Sequence, residues 1–182
     1  MTRLTVLLAL ALTACQDTPS PQVFEKLRYD FLTPLRLNVS IVEIGDAPVP
    51  GPLDVENPSP PGPALRQMAQ DRLAAGGTAG QAVFTIDQAQ VVRTGTTLDG
   101  VMAVHLELAG PSGSGRAEAR VTRQSSGVDR AALRGALYDM TKQMLADMNV
   151  ELEFQIRRTL KDWLQEVSLA PLPPPVQTEN LP

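Results

Sequence analysis

A chain of 182 residues and 19.6 kDa has room for one domain of ordinary size, which excludes a two-domain enzyme. Apolar residues at 43% suffice for a core, while 16 prolines and 13 glycines demand long irregular segments. With 20 acidic against 16 basic side chains there is no cationic footprint for nucleic acid.

Arg3 precedes the apolar run Leu4 to Leu12, and Leu12-Thr13-Ala14-Cys15 follows. A positive start, a short apolar stretch and small residues before a cleavage point make a secretory signal over residues 1–14, too short to span a bilayer. Cys15 is the only cysteine, so no disulfide framework exists and packing must supply the stability. The four residues ending at Cys15 resemble the lipobox of bacterial lipoproteins. That resemblance implies cleavage before Cys15, lipidation of its sulfur by acyl chains such as palmitate, and attachment to a membrane by the anchor alone. Within the Gram-negative pattern, Gln16 rather than Asp after the cysteine implies the periplasmic face of the outer membrane, with the outer face of the inner membrane as the alternative.

Residues 15–33 read as the lipidated cysteine and a tether, with Pro19 and Pro21 among polar residues and order beginning near Tyr29. The domain proper is expected over 34–167. Leu35, Leu37, Val39 and Ile41 alternate with Arg36, Asn38 and Ser40, a half-buried strand whose phase shifts near Ile41. Residues 45–63 hold seven prolines with three acids and no base, a composition that favours a disordered, polyproline-like loop. Pro63 suits a first helical position, and Leu65, Met68, Ala69 and Leu73 share one face of a helix ending at Gly76-Gly77.

Ala82, Phe84 and Ile86 open a second strand that continues through Val92 after a phase change near Asp87. Leu98-Asp99-Gly100 reads as a turn, and Val101 to Ala109 alternates as a third strand. Residues 111–115 form a hairpin loop before a fourth strand, Arg116 to Gln124, with Ala117, Ala119 and Val121 inward. Keeping both apolar faces together allows Glu107 to oppose Glu118, Arg116 or Arg120, the last two being electrostatically better.

Asp129 can cap a long helix with the stripe Leu133, Leu137, Met140, Met144, Met148, Leu152, Ile156, Leu160, Trp163 and Val167. Residues 150–156 also alternate as a strand would; the stripe on both sides favours one unbroken helix. The proline-rich tail 168–182 should be extended and disordered.

Little here can carry chemistry. His105 is the only histidine, and with Glu107 and Glu118 it could approach a metal or general-base site, but a wetted sheet face with Arg116 and Arg120 explains these residues as well. No CxxC, HExxH, EF-hand or phosphate-loop pattern occurs, so neither an enzyme nor a cofactor or metal is expected. Met140, Met144 and Met148 form a ladder that is either core or an adaptable partner surface, and Trp163 with nearby Arg157, Arg158 and Lys161 could touch a partner or headgroups.

The order strand, helix, three strands, helix specifies an α+β two-layer sandwich, a largely antiparallel four-stranded sheet with two helices on one face, the last helix long. This order, the size and Cys15 resemble small periplasmic lipoproteins of envelope transport, such as the lipopolysaccharide-assembly lipoprotein and the auxiliary lipoproteins of ABC-type lipid transporters. The resemblance implies a non-enzymatic accessory or adaptor in envelope assembly or transport, with an envelope protein as partner. The alternative is a carrier holding an acyl chain or other small apolar ligand between sheet and helices. A pocket of about 300 Å³ or more lined by Phe84, Leu106, Met144 and Met148 would favour the carrier, and a filled core the adaptor.

Overall fold

The computed structural model describes residues 22–111 and 113–165. The signal segment, Cys15, Val167 and the tail 168–182 lie outside the described residues. The architecture is α+β, a four-stranded mixed sheet covered on one face by two helices. Its elements are β1 (Leu35–Leu37), β2 (Ile41–Ile44), α1 (Pro61–Arg72), β3 (Leu73–Ala75), β4 (Gln81–Thr94), β5 (Thr97–Gly110), β6 (Gly113–Ser125), α2 (Leu133–Thr159) and a 3-10 turn Lys161–Trp163.

The sheet order is β2-β4-β5-β6. β4, β5 and β6 form an antiparallel meander, and β2 joins the β4 edge in parallel after the α1 crossover. The first expected strand is two strands: the chain turns at Val39, whose N–H donates to the Leu37 carbonyl (2.8 Å), and the two halves enter different sheets. Helix α1 begins at Pro61 and stops at Arg72, short of Gly76, because Leu73–Ala75 straighten to pair in parallel with Leu35–Leu37. Leu73 still reaches the core, so the apolar spacing that suggested a longer helix is met by a strand. The phase change at Asp87 is a bulge, with Ile86 opposite Val104 and Gln88 opposite Ala103.

The turn before β5 falls at Gly95, with φ +63°, and Leu98-Asp99-Gly100 belongs to the strand itself. Gly100 serves packing there. A Cβ on it would sit 2.5 Å from Met144 Sδ and 3.1 Å from Met140 Sδ, so only glycine lets α2 settle so closely on β5. Among the three allowed registers the structure takes the one with Glu107 opposite Arg116, which places Leu106 opposite Ala117.

Residues 150–156 are helical, and α2 runs without interruption to Thr159. It ends there, short of Val167, since Leu160 leaves helical geometry and the chain returns toward β1. Leu164 bridges to Leu37, and Gln165 N–H donates to the Arg36 carbonyl (2.9 Å). Asp129 accepts from Ala132 N–H (2.7 Å) in the turn preceding α2 rather than at its first residue. The core is one cluster: Phe84, Leu106 and Leu108 from the sheet, Leu65 and Met68 from α1, and Met144, Leu145, Met148 and Ile156 from α2.

Two segments expected to be loose are packed. The proline-rich stretch turns at Gly51, whose N–H donates to Asp54 (3.0 Å), and buries Asn57, which donates from its side-chain amide to Thr141 Oγ1 (2.9 Å) on α2. Two buried polar partners on distant elements anchor a segment that has few apolar groups. Residues 22–34 lie along the helices as a strap. Phe24 meets Tyr138 with ring centroids 5.1 Å apart, Tyr138 Oη donates to the Glu25 carbonyl (3.0 Å), and Arg28 forks onto Asp71 of α1 (2.9 and 3.0 Å). Asp71 also accepts from Tyr29 N–H (2.8 Å) and Gln67 (3.0 Å). Burial works to raise its pKa, but these donors together with the Arg28 charge outweigh it and hold the carboxyl below its ordinary value. Burial pushes the Tyr29 hydroxyl up.

A carboxyl held low contributes stability above the ordinary carboxylate range and loses it as pH falls through its folded-state value. Asp71→Asn should therefore cost about 1–3 kcal/mol at neutral pH. The gap between variant and parent in urea unfolding should narrow below about pH 4. A gap that is constant with pH would assign the cost to packing instead. Leu106→Ala, at the centre of the core, should cost about 2–5 kcal/mol in the same assay.

Candidate functional site

The sheet has one covered face and one open face, and the strand period decides which residues each receives. Val83, Thr85, His105, Glu107, Arg116, Glu118 and Arg120 project to the open side. His105 stands opposite Glu118 in the ladder, yet its partner is Asp87: Nδ1 donates to that carboxylate at 2.9 Å from both oxygens. The bulge gives Asp87 this aim by taking it out of the ladder. Glu107 and Glu118 both accept from Arg116, the latter at 2.6 Å from Nε, and Arg120 donates to Gln88 (2.7 Å). Every member of the suspected trio is thus engaged in a structural pair. Among the described residues no three His, Cys, Asp or Glu side chains gather as metal ligands would. The sequence shows the phase change at Asp87 but gives no sign that this residue meets His105, 18 positions on.

The candidate partner surface on α2 is displaced by the fold. Met140, Met144 and Met148 all face the sheet and are buried, the last two completely, so they are core and unavailable to a partner. The stripe at helical spacing is the one that Gly100 and Leu106 receive. Trp163 is half-buried at the far end of the sheet, its ring 3.3 Å from where a Cβ on Gly110 would stand and 3.2 Å from one on Gly115. Glycines in the β5–β6 hairpin admit the indole, and the Trp163 carbonyl accepts from Asn38 N–H (2.6 Å). Trp163 is a clasp between the C-terminal turn and the hairpin. Arg157 pairs with Glu153, four residues before it (2.8 Å), and Arg158 lies 5.8 Å from the Phe154 ring.

A pocket lined by Phe84, Leu106, Met144 and Met148 is not what the fold makes of them, since all four are fully buried in mutual contact with the core. Open clefts do mark the surface. One of them, about 810 Å³, lies where Thr33, Arg36, Arg72 and Lys161 converge. Its floor is Arg72, a buried cation the sequence does not announce, which donates to Asn149 (2.7 Å), Glu153 (2.5 Å) and the Thr33 carbonyl. All three sides of that guanidinium are spent on holding strap, α1 and α2 together.

What remains unspent is backbone. β6 is the terminal strand of the sheet, 13 residues long, and among the described residues its outer edge makes no main-chain hydrogen bond. The opposite edge strand, β2, has only four residues.

No family model matches the chain, and no curated protein matches it. A solved structure, that of a candidate lipoprotein from Caulobacter crescentus CB15, is similar with a TM-score of 0.38 and 14% sequence identity, over 64% of this chain and 88% of that one. A likeness that distant assigns neither fold nor function.

The closeness of Met144 to Gly100 gives a direct test of whether the interior has room for a ligand. Gly100→Val should lower stability by about 1–3 kcal/mol through overpacking, read from the urea midpoint. An unchanged midpoint would reveal slack between α2 and β5 and reopen the question of a cavity.

Proposed function

We propose that this chain is an exported lipoprotein, acylated at Cys15, that serves as a non-enzymatic accessory or adaptor in assembly or transport at the cell envelope. The observation that carries the adaptor reading over the carrier is the filled interior. Phe84, Leu106, Met144 and Met148 leave no cavity for an acyl chain, while the sheet keeps an open face and a long free edge. On the open face His105 pairs with Asp87, and Glu107 and Glu118 pair with Arg116.

The anchor fits this arrangement. No helix of the described residues is long and apolar enough to cross a membrane. Gln22 rests beside Gly135 in the first turn of α2, and Cys15 precedes it by seven residues, a span of at most about 25 Å when fully extended. Acyl chains on Cys15 therefore hold the start of α2, with exposed Arg130 and Arg134, close to the lipid surface. The lipobox and Gln16 make the periplasmic face of the outer membrane the proposed address, and an envelope protein the proposed partner.

Metabolic labelling with palmitate followed by membrane fractionation tests the anchor. The parent chain should carry label and sediment with membranes, and Cys15→Ser should lose both. An unlabelled parent starting at Met1 would end the lipoprotein reading. Crosslinking in intact cells, followed by detergent extraction, should recover an envelope protein with the parent chain; recovery of this chain alone would leave the adaptor reading without its object.

A further inference from the structure

The unpaired edge of β6 has the marks of a surface built to be covered. Edge strands are ordinarily kept from pairing by shortness, proline, bulges or inward charges. β6 has 13 residues, no proline and an unbroken ladder with β5. Its one charge on the helix side, Arg123, is neutralised by Asp147 of α2 (2.6 Å).

We infer that the β6 edge receives β6 of a second copy of this chain, antiparallel and centred on Ala119, making one continuous eight-stranded sheet. The side-chain pattern selects this occupant. For two identical antiparallel strands that keep their covered faces on the same side, a residue must stand at the dyad. Centring on Glu118 or Arg120 puts like charges directly opposite, which is unfavourable. Centring on Val121 faces Arg120 with Thr122 and Glu118 with Gln124, which leaves both charges without an opposite partner. Centring on Ala117 pairs Glu118 with Arg116, a guanidinium already shared by Glu107 and Glu118 of its own chain, and leaves the end of the strand unmatched.

Centring on Ala119 faces Glu118 with Arg120 of the second copy, twice by symmetry, and Ala117 with Val121. It also matches Gly113 to Ser125, so the strand is paired along its whole length. Both charged groups have capacity left. The Glu118 side chain is 66% exposed and, among the described residues, uses one carboxylate oxygen, while Arg120 bonds Gln88 through Nη1 and no other described side chain.

The helix layer agrees. Asp147, Glu151, Phe154 and Arg158 follow one stripe of α2, the stripe that reaches β6 through Asp147 and Arg123. Phe154 is 52% exposed on it, and Val150 beside it is 67% exposed. The dyad stands perpendicular to the sheet, so it brings this stripe toward its counterpart. The same geometry keeps both helix layers, and both N-terminal straps, on one side of the dimer.

The inference rests on β6 and α2 and stands apart from lipidation. It is tested on the full chain extracted in detergent, with two differently tagged copies co-expressed and the assembly sized by sedimentation. The parent should be a dimer in which each tag retrieves the other. Glu118→Arg and Arg120→Glu should each weaken dimerisation by about tenfold or more, since each turns two facing ion pairs into repulsions. The double reversal Glu118→Arg with Arg120→Glu should restore it. Both side chains are exposed, and the circular dichroism of each variant should match the parent. Hydrogen exchange gives a second readout: the outward amides of β6 should be protected in the parent and exchange in the single variants. A monomeric parent, capture of another protein without a second copy, an inert Arg120→Glu, or a double reversal that stays monomeric would each overturn the proposal.

Discussion

The contact between α2 and the β4–β6 meander is the constraint on which the rest depends. The meander buries one face with Phe84, Met102, Val104, Leu106 and Leu108, and a helix of 27 residues covers it with Leu137, Met144, Leu145, Met148 and Ile156. Gly100 sets the spacing. Because it offers no side chain beneath Met144, the helix lies close enough to exclude a ligand, and methionine adapts to the remaining gap. From that contact follow the filled interior and the loss of the methionine ladder as a partner surface. It also places the stripe of α2 that carries Phe154 beside the free strand.

The second layer of organisation is polar. Arg72, buried between α1, α2 and the strap, and Asp71, its neighbour in sequence, hold two sides of the N-terminal segment. Adjacent helix residues point about 100° apart, so one cation and one anion from a single turn can fasten different partners. The strap is already packed at Phe24, earlier along the chain than the expected start near Tyr29.

Much of the fold could be read from periodicity. The alternation in β4, β5 and β6, the bulge at Asp87, the hairpin near residue 112 and the length of α2 through 150–156 all follow from which positions are apolar. The failures share a cause. Leu73 satisfied a helical stripe and is in a strand, Asp99-Gly100 satisfied a turn rule and lies in a strand, and the proline-rich stretch had the composition of a disordered loop and is pinned through Asn57. In each instance a partner far along the chain, Leu35, Met144 or Thr141, outweighs the local preference. The partnership of His105 with Asp87 was equally invisible, because a bulge aims a side chain by local geometry that composition does not encode.

From residue types and spacing alone came the expectation of a secretory start, the single thiol at Cys15, the class of fold and the face that each strand buries, since hydrophobic period and turn chemistry are local properties. Three-dimensional packing alone settled that the methionines of α2 are core, that Arg72 is a buried tie, and that β6 closes the sheet with an edge to spare. Those outcomes depend on which elements become neighbours, and neighbours in space are chosen by the collective burial of the whole apolar face, not by any one segment.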